Sequence, residues 1–429
     1  MTPLAPPLGG DQLLWFLVQI ALLLAVATLL GRLAMRCGMP PIVGELCTGV
    51  LLGPSLLGSV APGVAERLLP RGAEAAHLVD AVSQIGVLLL VGLAATQLDF
   101  TVLRRRRSAA VWVSGAGLVV PFVLGLALGH ALPGELLPAG VDRTVFALFL
   151  SVAMCVSAIP VIAKTLTDMR LLHRDVAQLA LMAGTLDDVM AWFMLSVVAA
   201  MAASALTAGA VATSVLVLVA FVAVAVVVGL PLLRRLLVRI HASDEPRLRI
   251  PAIVVVIIVG ATVSHALGLE AVFGAFLAGA LVGRAGGSGG LGALRTVVLT
   301  VLAPLFLATA GLRVDFTTLA GGKMIAVAAA ALVVAIVGKF AGAYLGARLS
   351  RLGLWEGTAL GAAMNARGVV EIVIATVGLR LGILDIRFYT IIVLVAVVTS
   401  IMAPPLLRIA MRRIEETPEE QRRAVLQDA

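Results

Sequence analysis

At positions 146–166 the chain reads FALFLSVAMCVSAIPVIAKTL, an apolar run with a single charged residue. A helix needs about 20 apolar residues to cross the hydrocarbon core of a membrane, so this run is long enough to span one. Pro160 lies in its second half, and a proline removes a backbone N–H and clashes with the preceding turn of a helix. We therefore expect a membrane-spanning helix that is broken around Ser157 and Pro160, with a simple proline kink as the alternative.

The composition of the whole chain is that of a membrane protein. Of its 429 residues, 61% are hydrophobic and 13% are charged, and the mean hydropathy is +1.10. These values exclude a soluble enzyme, a disordered chain and a small disulfide-stabilised scaffold. The three cysteines, Cys37, Cys47 and Cys155, have no CxxC spacing, so they predict neither a disulfide framework nor a metal site.

Apolar segments recur along the sequence and predict an all-α protein with thirteen transmembrane helices. The ninth segment is short and could re-enter the membrane from one side. The predicted helices cover residues 12–33, 40–58, 78–98, 108–132, 143–168, 175–204, 209–234, 249–267, 270–284, 293–312, 324–348, 355–380 and 387–408.

The positions of the basic residues predict the orientation of the chain. A net charge of +8 could indicate nucleic-acid binding in a soluble protein, but here the basic residues lie between the predicted spans. One side of the predicted membrane carries 23 Lys and Arg residues, including Arg104, Arg105, Arg106 and Arg107, and the other carries 7. Cytoplasmic loops are the richer in Lys and Arg, so we expect the N-terminus outside, a cytoplasmic tail at residues 409–429, and no nucleic-acid partner.

Predicted helices 2 and 9 share a pattern of small residues. They lie seven helices apart and therefore cross the membrane in opposite directions, as in an inverted-topology repeat, although ordinary helix packing could also explain the pattern. Within a transmembrane domain at residues 1–408, we expect repeats at about 12–204 and 249–408, joined by a linker helix at 209–234. The matching residues are Gly44, Gly49, Leu51 and Gly53 in helix 2 and Gly274, Gly279, Leu281 and Gly283 in helix 9.

Predicted helix 12 is the counterpart of helix 5 in this repeat, and it is also interrupted. Asn365, Arg367 and Gly368 lie at a depth comparable to that of Pro160 in helix 5. Interruptions at corresponding places of two repeats indicate the binding site of a transporter, because unwound backbone and half-helix ends can coordinate an ion.

Helix 6 carries two adjacent carboxylates, Asp187 and Asp188, in the middle of an uncharged run. Each costs about 2.5 to 3.5 kcal/mol at the centre of a membrane helix, so a function is favoured over a purely structural role as a cap. Lys339 lies at similar depth in helix 11 and is one of only three lysines. We therefore predict that Asp187 pairs with Lys339 and stays ionised, and that Asp188 carries the proton.

A second buried pair is predicted in helix 12. Arg367 and Glu371 are four residues apart, so they can pair along one face of a helix. We interpret them as a structural ion pair that neutralises a buried charge.

At these positions the chain resembles the cation:proton antiporter-2 family, the sodium/proton exchanger-like membrane domain. The similar segments span nearly the whole chain. They are PPIVGELCTGVLLGPSLLG at 40–58, VSAIPVIAKTL at 156–166, LDDVMAW at 186–192, VFGAFLAGALVG at 272–283, PLFLATAGLRVDF at 304–316, VGKFAGA at 337–343 and ALGAAMNARGVVEIVI at 359–374.

The resemblance implies a homodimer without a cofactor, in which a core around the crossed helices 5 and 12 moves as an elevator and exchanges a monovalent cation for protons. Asp188 matches the ion- and proton-binding aspartate, Asp187 its partner, and Lys339 the counter-charge of electrogenic members. Ser157 falls where the family places ion-coordinating groups. The chain would lack the nucleotide-binding regulatory domain of some potassium-efflux members.

Other functions stay open at this stage. The motifs at 157–166 and 364–371 look closer to plant exchanger and potassium-efflux branches, so Na⁺ and K⁺ both remain candidate cargo, as does electroneutral K⁺/H⁺ exchange. A pH-gated cation channel and a transporter of an organic solute on the same scaffold are the alternatives. No HExxH, Walker or GxSxG sequence occurs, so an enzyme is not expected.

Overall fold

The computed structural model describes residues 9–68, 73–97, 107–203, 208–242, 248–287 and 289–421. Within these ranges the protein is all-α, as predicted, and contains no β-strand. Arg104, Arg105 and Arg106, which lead the predicted cytoplasmic charge, lie outside the described residues, as do residues 422–429 of the predicted tail.

Helices occur in each of the predicted segments, and the two predicted interruptions divide two of them into halves. The helices are α1 (Gly10–Arg36), α2 (Pro41–Leu52), α3 (Ala73–Ala95), α4 (Arg107–Ala131), α5a (Arg143–Cys155), α5b (Ile159–Asp168), α6 (Asp175–Ala203), α7 (Ala208–Val224, Ala225–Gly229 and Leu230–Ala242), α8 (Arg249–Ala266), α9 (Ala271–Arg284), α10 (Gly292–Val297, Val298–Leu302 and Ala303–Gly311), α11 (Gly322–Leu349), α12a (Leu354–Met364), α12b (Val369–Arg380) and α13 (Ile386–Met411). Short helices at Leu57–Val60, Pro62–Leu68, Gly134–Leu136 and Phe316–Leu319 lie in the connections.

The chain is a multi-pass membrane protein. In the described ranges, ten helices are long and apolar enough to cross a membrane, and the pair α12a and α12b, bent by 45°, makes up to eleven. The predicted number of thirteen is not confirmed, because α5a and α9 are shorter apolar helices.

Aspartates set the starts of two helices near the broken segments. Asp142 Oδ1 accepts hydrogen bonds from the backbone N–H groups of Thr144 at 2.7 Å and Val145 at 3.2 Å, at the start of α5a. Asp385 Oδ1 accepts from the N–H of Phe388 at 3.1 Å, at the start of α13. These carboxylates satisfy N–H groups that have no partner inside the helix and interact favourably with its positive end.

The glycines that α2 and α9 share lie at close helix crossings. A Cβ added to Gly49 would lie 2.0 Å from the carbonyl oxygen of Ala308 in α10, and one added to Gly279 would lie 1.9 Å from that of Gly92 in α3. Only a residue without a side chain permits backbones to approach so closely. Both crossings therefore require the glycine.

A second pair of glycines brings each helix against its neighbour in sequence. A Cβ on Gly44 would lie 2.1 Å from Leu30 O in α1, and one on Gly274 would lie 2.1 Å from Gly260 O in α8. Thus α2 packs on α1 and α10, whereas α9 packs on α8 and α3. This is the pairing expected if α1, α2 and α3 correspond to α8, α9 and α10 in a repeat.

Helix packing divides the molecule into two groups. Helices α1, α2, α3, α8, α9 and α10 pack mainly against one another, and we call them the panel bundle. Helices α4, α5a, α5b, α6, α11, α12a, α12b and α13 form the core bundle, in which a Cβ on Gly346 of α11 would lie 2.2 Å from Trp112 O of α4. Helix α7 contacts α6 of the core bundle and α9 of the panel bundle.

The polar contacts that join the two bundles lie at one end of the molecule. The Tyr389 hydroxyl of α13 donates to Ala310 O of α10 at 2.8 Å. Within the described residues there are two more such contacts, and both lie where α10 and α12b end and α9 and α13 begin. These are the Arg380–Glu270 ion pair and the hydrogen bond from Asp315 N–H to Thr390 Oγ1.

Candidate functional site

The breaks of the two interrupted helices meet inside the core bundle. Three residues separate α5a from α5b, and four separate α12a from α12b. The N–H of Ala158 in the first break donates to Ala366 O in the second at 3.0 Å. Ser157 Oγ lies 2.7 Å from Met364 O, the last residue of α12a. Hydrogen bonds therefore hold the two unwound segments against each other.

The predicted helix-breaking residues occupy different positions at these breaks. Pro160 stands in the first turn of α5b, where its missing N–H would have no partner inside the helix, so it begins a new helix. Gly368 is extended, and an added Cβ would lie 2.6 Å from Cγ2 of Val161. Asn365 is fully buried at the C-terminus of α12a, and neither atom of its side-chain amide has a partner among the described residues.

Lys339 and Arg367 place positive charge on the C-terminal end of α5a. Lys339 Nζ donates to Cys155 O at 2.6 Å, and Arg367 Nη1 donates to Ala153 O at 2.8 Å. Arg367 Nη2 also donates to Met154 O. The last carbonyl groups of a helix have no partner within it and carry a partial negative charge, so buried cations stabilise this end.

Asp187 lies within hydrogen-bond distance of three donor groups from three segments of the core bundle. Its Oδ2 lies 2.5 Å from Lys339 Nζ and 3.0 Å from Ser157 Oγ, and its Oδ1 accepts from Ser114 Oγ of α4 at 2.6 Å. The carboxylate and the ammonium group are both fully buried. A buried ion pair with additional hydrogen bonds to its charged groups avoids most of the cost of burying unpaired charge.

Ser157 is in contact with two acceptors but has one proton to donate. Its hydroxyl is within hydrogen-bond distance of Met364 O and Asp187 Oδ2 at the same time. A serine hydroxyl carries a single O–H, so it can donate to only one of them at once. Ser157 thus connects the carboxylate of α6 to the C-terminal end of α12a.

Asp188 differs from its neighbour because it lacks such donors. It is 7% exposed, and its Oδ1 is buried without a hydrogen-bond partner among the described residues. A buried carboxylate oxygen without a donor is costly unless a proton or a cation joins it. Asp188 is therefore the carboxylate of the pair that has capacity for a ligand.

Arg367 and Glu371 lie 3.1 Å apart, both fully buried, at the start of α12b. Arg367 also reaches Ala335 O of α11 at 3.3 Å, and the hydroxyl of Ser400 in α13 donates to Arg367 O. The guanidinium group therefore connects α5a, α11 and α12b. Its contacts with backbone carbonyls extend well beyond the pair expected from the sequence.

Two polar residues at this site were not predicted from the sequence. Ser114 and Ser400 are single hydroxyls in apolar helices, and most such residues bond to the backbone of their own helix. Only the crossing of the helices shows that Ser114 faces Asp187 and Ser400 faces the break of α12.

Comparison with known families gives a match over most of the chain. The family described as "Sodium/hydrogen exchanger, transmembrane" matches residues 21–413. This range includes every residue of the candidate site.

Individual relatives are similar over comparable lengths. The Na⁺/H⁺ antiporter NhaS4 of Synechocystis is 31% identical over 400 residues, which cover 92% of this chain and 97% of that protein. The Na⁺/H⁺-K⁺ antiporter GerN of Bacillus cereus is 27% identical over 399 residues, covering 92% and 95%. Cation/H⁺ antiporter 19 of Arabidopsis thaliana is 27% identical, and the matched region spans 49% of its length.

A solved structure has a similar fold. The sodium proton antiporter MjNhaP1 from Methanocaldococcus jannaschii, determined at pH 8, superimposes with a TM-score of 0.68 and 16% sequence identity. The match covers 94% of this chain and 100% of that one.

Proposed function

Because this chain belongs to the sodium/hydrogen exchanger family of transmembrane proteins, we propose that it is a secondary active antiporter that exchanges a monovalent cation, Na⁺ or K⁺, for protons. The names of its relatives, Na⁺/H⁺ and cation/H⁺ antiporters, support this assignment. The proposal includes a position in the cell membrane with the N-terminus outside and the C-terminus in the cytoplasm. The 23 to 7 distribution of basic residues supports this orientation.

The observation that carries the proposal is the difference between Asp187 and Asp188. Lys339 already neutralises Asp187, whereas Asp188 Oδ1 has no partner within the described residues. One carboxylate that binds either a proton or a cation is sufficient to couple the two flows, because each ligand must leave before the other can bind. Asp188 is the shared site in this proposal, and Ser157 is the nearest hydroxyl of the adjoining break.

We propose that the exchange is electrogenic. Exchange of one proton for one monovalent cation at Asp188 alone would be electroneutral, so net charge movement requires a second titrating group, which the Asp187–Lys339 pair would supply. Each net charge moved across the membrane then changes the driving force by about 2.3 kcal/mol per 100 mV.

Alternating access is proposed to follow an elevator mechanism. The core bundle contains both broken helices and both aspartates, so it can carry the site as one body. The panel bundle would form the homodimer contact and stay in place, with α7 joining the two. Movement of the core bundle must break the contacts of Tyr389, Thr390 and Arg380 with the panel bundle.

The repeat organisation is part of the same proposal. Residues 12–204 and 249–408 would form two inverted repeats, and residues 209–234 the linker. The matched glycine crossings of α2 and α9 support it, as does the meeting of the breaks of α5 and α12.

The decisive experiment measures proton flux in proteoliposomes on addition of Na⁺, K⁺ or Li⁺, with the membrane potential free or clamped. We expect the wild type to dissipate a pH gradient with Na⁺ or K⁺, and Asp188→Asn to abolish this activity without unfolding. Asp142→Asn is the matched control, because it also removes a carboxylate and asparagine still caps α5a.

The outcomes separate the alternatives. Wild-type activity in Asp188→Asn would remove the assignment of the site. Saturable exchange that requires an opposing gradient would support the antiporter, whereas cation flux that does not saturate and needs no opposing proton gradient would indicate a channel. A wild type that responds to none of the three cations would point to an organic solute.

A further inference from the structure

The C-terminal ends of the two interrupted half-helices have different partners. Side-chain cations from Lys339 and Arg367 donate to the last three carbonyl groups of α5a. At the end of α12a, Met364 O is next to the hydroxyl of Ser157, and no Lys, Arg or His side chain donates to this end in the described part of the chain. Among the described residues, the buried negative end of α12a thus has no side-chain cation hydrogen-bonded to it.

Asn365 is the residue that follows this end. It is fully buried, and both Oδ1 and Nδ2 lack partners among the described residues. A buried polar group without a partner destabilises the fold, so an amide with neither atom bonded calls for a ligand. A neutral carbonyl oxygen is a good ligand for an alkali cation, as in potassium-channel filters.

The unpartnered amide of Asn365 and the unpartnered carboxylate of Asp188 each follow a residue that contacts Ser157. Ser157 Oγ is within 3.0 Å of both Asp187 Oδ2 and Met364 O. Asp188 follows Asp187 in the chain, and Asn365 follows Met364. One hydroxyl therefore separates the residue before Asp188 from the residue before Asn365.

We propose that Asn365 is a cation-coordinating residue, whose Oδ1 binds the monovalent cation together with Asp188 at the C-terminal end of α12a. The transported cation would then occupy at α12a the place that Lys339 and Arg367 hold at α5a. When Asp188 carries a proton instead, Asn365 Oδ1 accepts a hydrogen bond from it. This inference rests on the proposed antiporter function and adds a residue that determines cation affinity and selectivity.

The Asn365 side chain is uncharged, and this suits a site that already contains two carboxylates. A third carboxylate beside Asp187 and Asp188 would add repulsion between like charges. An amide supplies an oxygen without adding charge, and the same oxygen serves the protonated and the cation-bound forms. Asparagine therefore suits a site that alternates between these two ligands.

The test compares wild type, Asn365→Ala, Asn365→Ser and Thr399→Ala in proteoliposomes at fixed pH. The apparent KM and kcat are measured with NaCl, KCl and LiCl, and thermal melting is followed with and without each salt. Loss of one ligand should raise the apparent KM about tenfold, which corresponds to about 1.4 kcal/mol. It should also change the ratio of KM values among the three salts and reduce the shift in melting temperature that the transported cation produces in wild type.

Thr399→Ala is the matched control, because it removes a fully buried polar group of α13 that already has partners in its own helix. We expect it to lower the melting temperature and leave KM unchanged. Asn365→Ser keeps a small polar residue at the position, so it provides the KM measurement if the alanine variant does not fold.

Two failures can be told apart. If both Asn365 variants keep the wild-type KM values and salt preference while Asp188→Asn abolishes exchange, the inference about Asn365 is wrong and the antiporter assignment stands. If wild type shows neither exchange nor a melting shift with any salt, the antiporter assignment itself is wrong.

Discussion

The breaks of α5 and α12 both interrupt a helix inside the core bundle, but their side-chain environments differ. Helix α6 places Asp187 against the first break, whereas α13 places Ser400 against the second. Lys339 caps the end of α5a, but the end of α12a is next to a hydroxyl. The comparison teaches that two breaks that meet at one site can differ in charge: side-chain cations neutralise the end of α5a, whereas the end of α12a is where we propose that a mobile cation binds.

The largest expected effect comes from removing the lysine that caps α5a. Lys339→Ala leaves the Asp187 carboxylate buried without a cation, which should lower the free energy of unfolding by about 3 to 5 kcal/mol. Lys323→Ala is the control, because this lysine begins the same helix and pairs with Glu135 at the surface. Thermal melting of the purified variants measures both.

The double variant Lys339→Ala with Asp187→Asn sharpens this prediction. Neutralising the carboxylate removes the unpaired charge, so most of the lost melting temperature should return. Wild-type melting of Lys339→Ala alone would show that the pair contributes little to holding the first break.

A smaller effect is expected where the second break packs on α5b. In Gly368→Ala the new Cβ would lie 2.6 Å from Cγ2 of Val161, and such overpacking costs about 1 to 3 kcal/mol. Combining it with Val161→Ala should relieve the clash and recover part of the stability. Gly321→Ala provides the control, because a Cβ there meets nothing within 4 Å. Equal melting temperatures of Gly368→Ala and Gly321→Ala would argue against a tight contact between the second break and α5b.

The hydroxyls at the two breaks should differ in what they contribute. Ser157 is next to a carboxylate, whereas Ser400 donates to a neutral carbonyl, and hydrogen bonds to charged groups are the stronger. Ser157→Ala should therefore lower the unfolding free energy by about 1 kcal/mol more than Ser400→Ala. Denaturation curves of the two variants measure the difference, and a larger loss in Ser400→Ala would reverse the comparison.

The smallest effect concerns the surface ion pair between Lys323 of α11 and Glu135, which contrasts with the buried pair of Lys339 and Asp187. The ammonium of Lys323, 2.6 Å away, lowers the pKa of Glu135 below its usual value of 4.5. A lowered folded-state pKa stabilises the protein above the unfolded pKa, and this contribution is lost as pH falls through the folded value. The melting difference between wild type and Glu135→Gln should thus be slight at neutral pH and vanish in acid. A difference that grows in acid would contradict this assignment.

Much of the fold could be predicted, because apolar length and proline position act locally. The run around Pro160 predicts both α5a and α5b, and Asp187 and Lys339 stand out because charges are rare in membrane helices. The contacts of Arg367 with Ala153 and Met154 could not be predicted, since a backbone acceptor carries no mark in the sequence.

Two features of the helices were also not predicted correctly from the sequence. The predicted number of thirteen spans is not confirmed, because α5a and α9 are shorter than the length expected of a crossing; the sequence predicted a short ninth segment but no such shortness for the fifth. The wider turns at Ala225–Gly229 in α7 and Val298–Leu302 in α10 were not predicted, although Pro231 and Pro304 each follow one of them by two residues and disturb the preceding turn of the helix.

The length of helix α7 and its contacts with both bundles bear on how the bundles could move relative to each other. The candidate span Val215–Ile240 in α7 has 26 residues and is about 39 Å long at 1.5 Å per residue, whereas the hydrocarbon core is about 30 Å thick. A span of this length is accommodated by tilting, by kinking or by a locally thicker bilayer, and α7 touches both bundles. Displacement of one bundle past the other along the membrane normal would therefore change the tilt angle of α7. Spectroscopic measurements of that angle would report the size of the displacement.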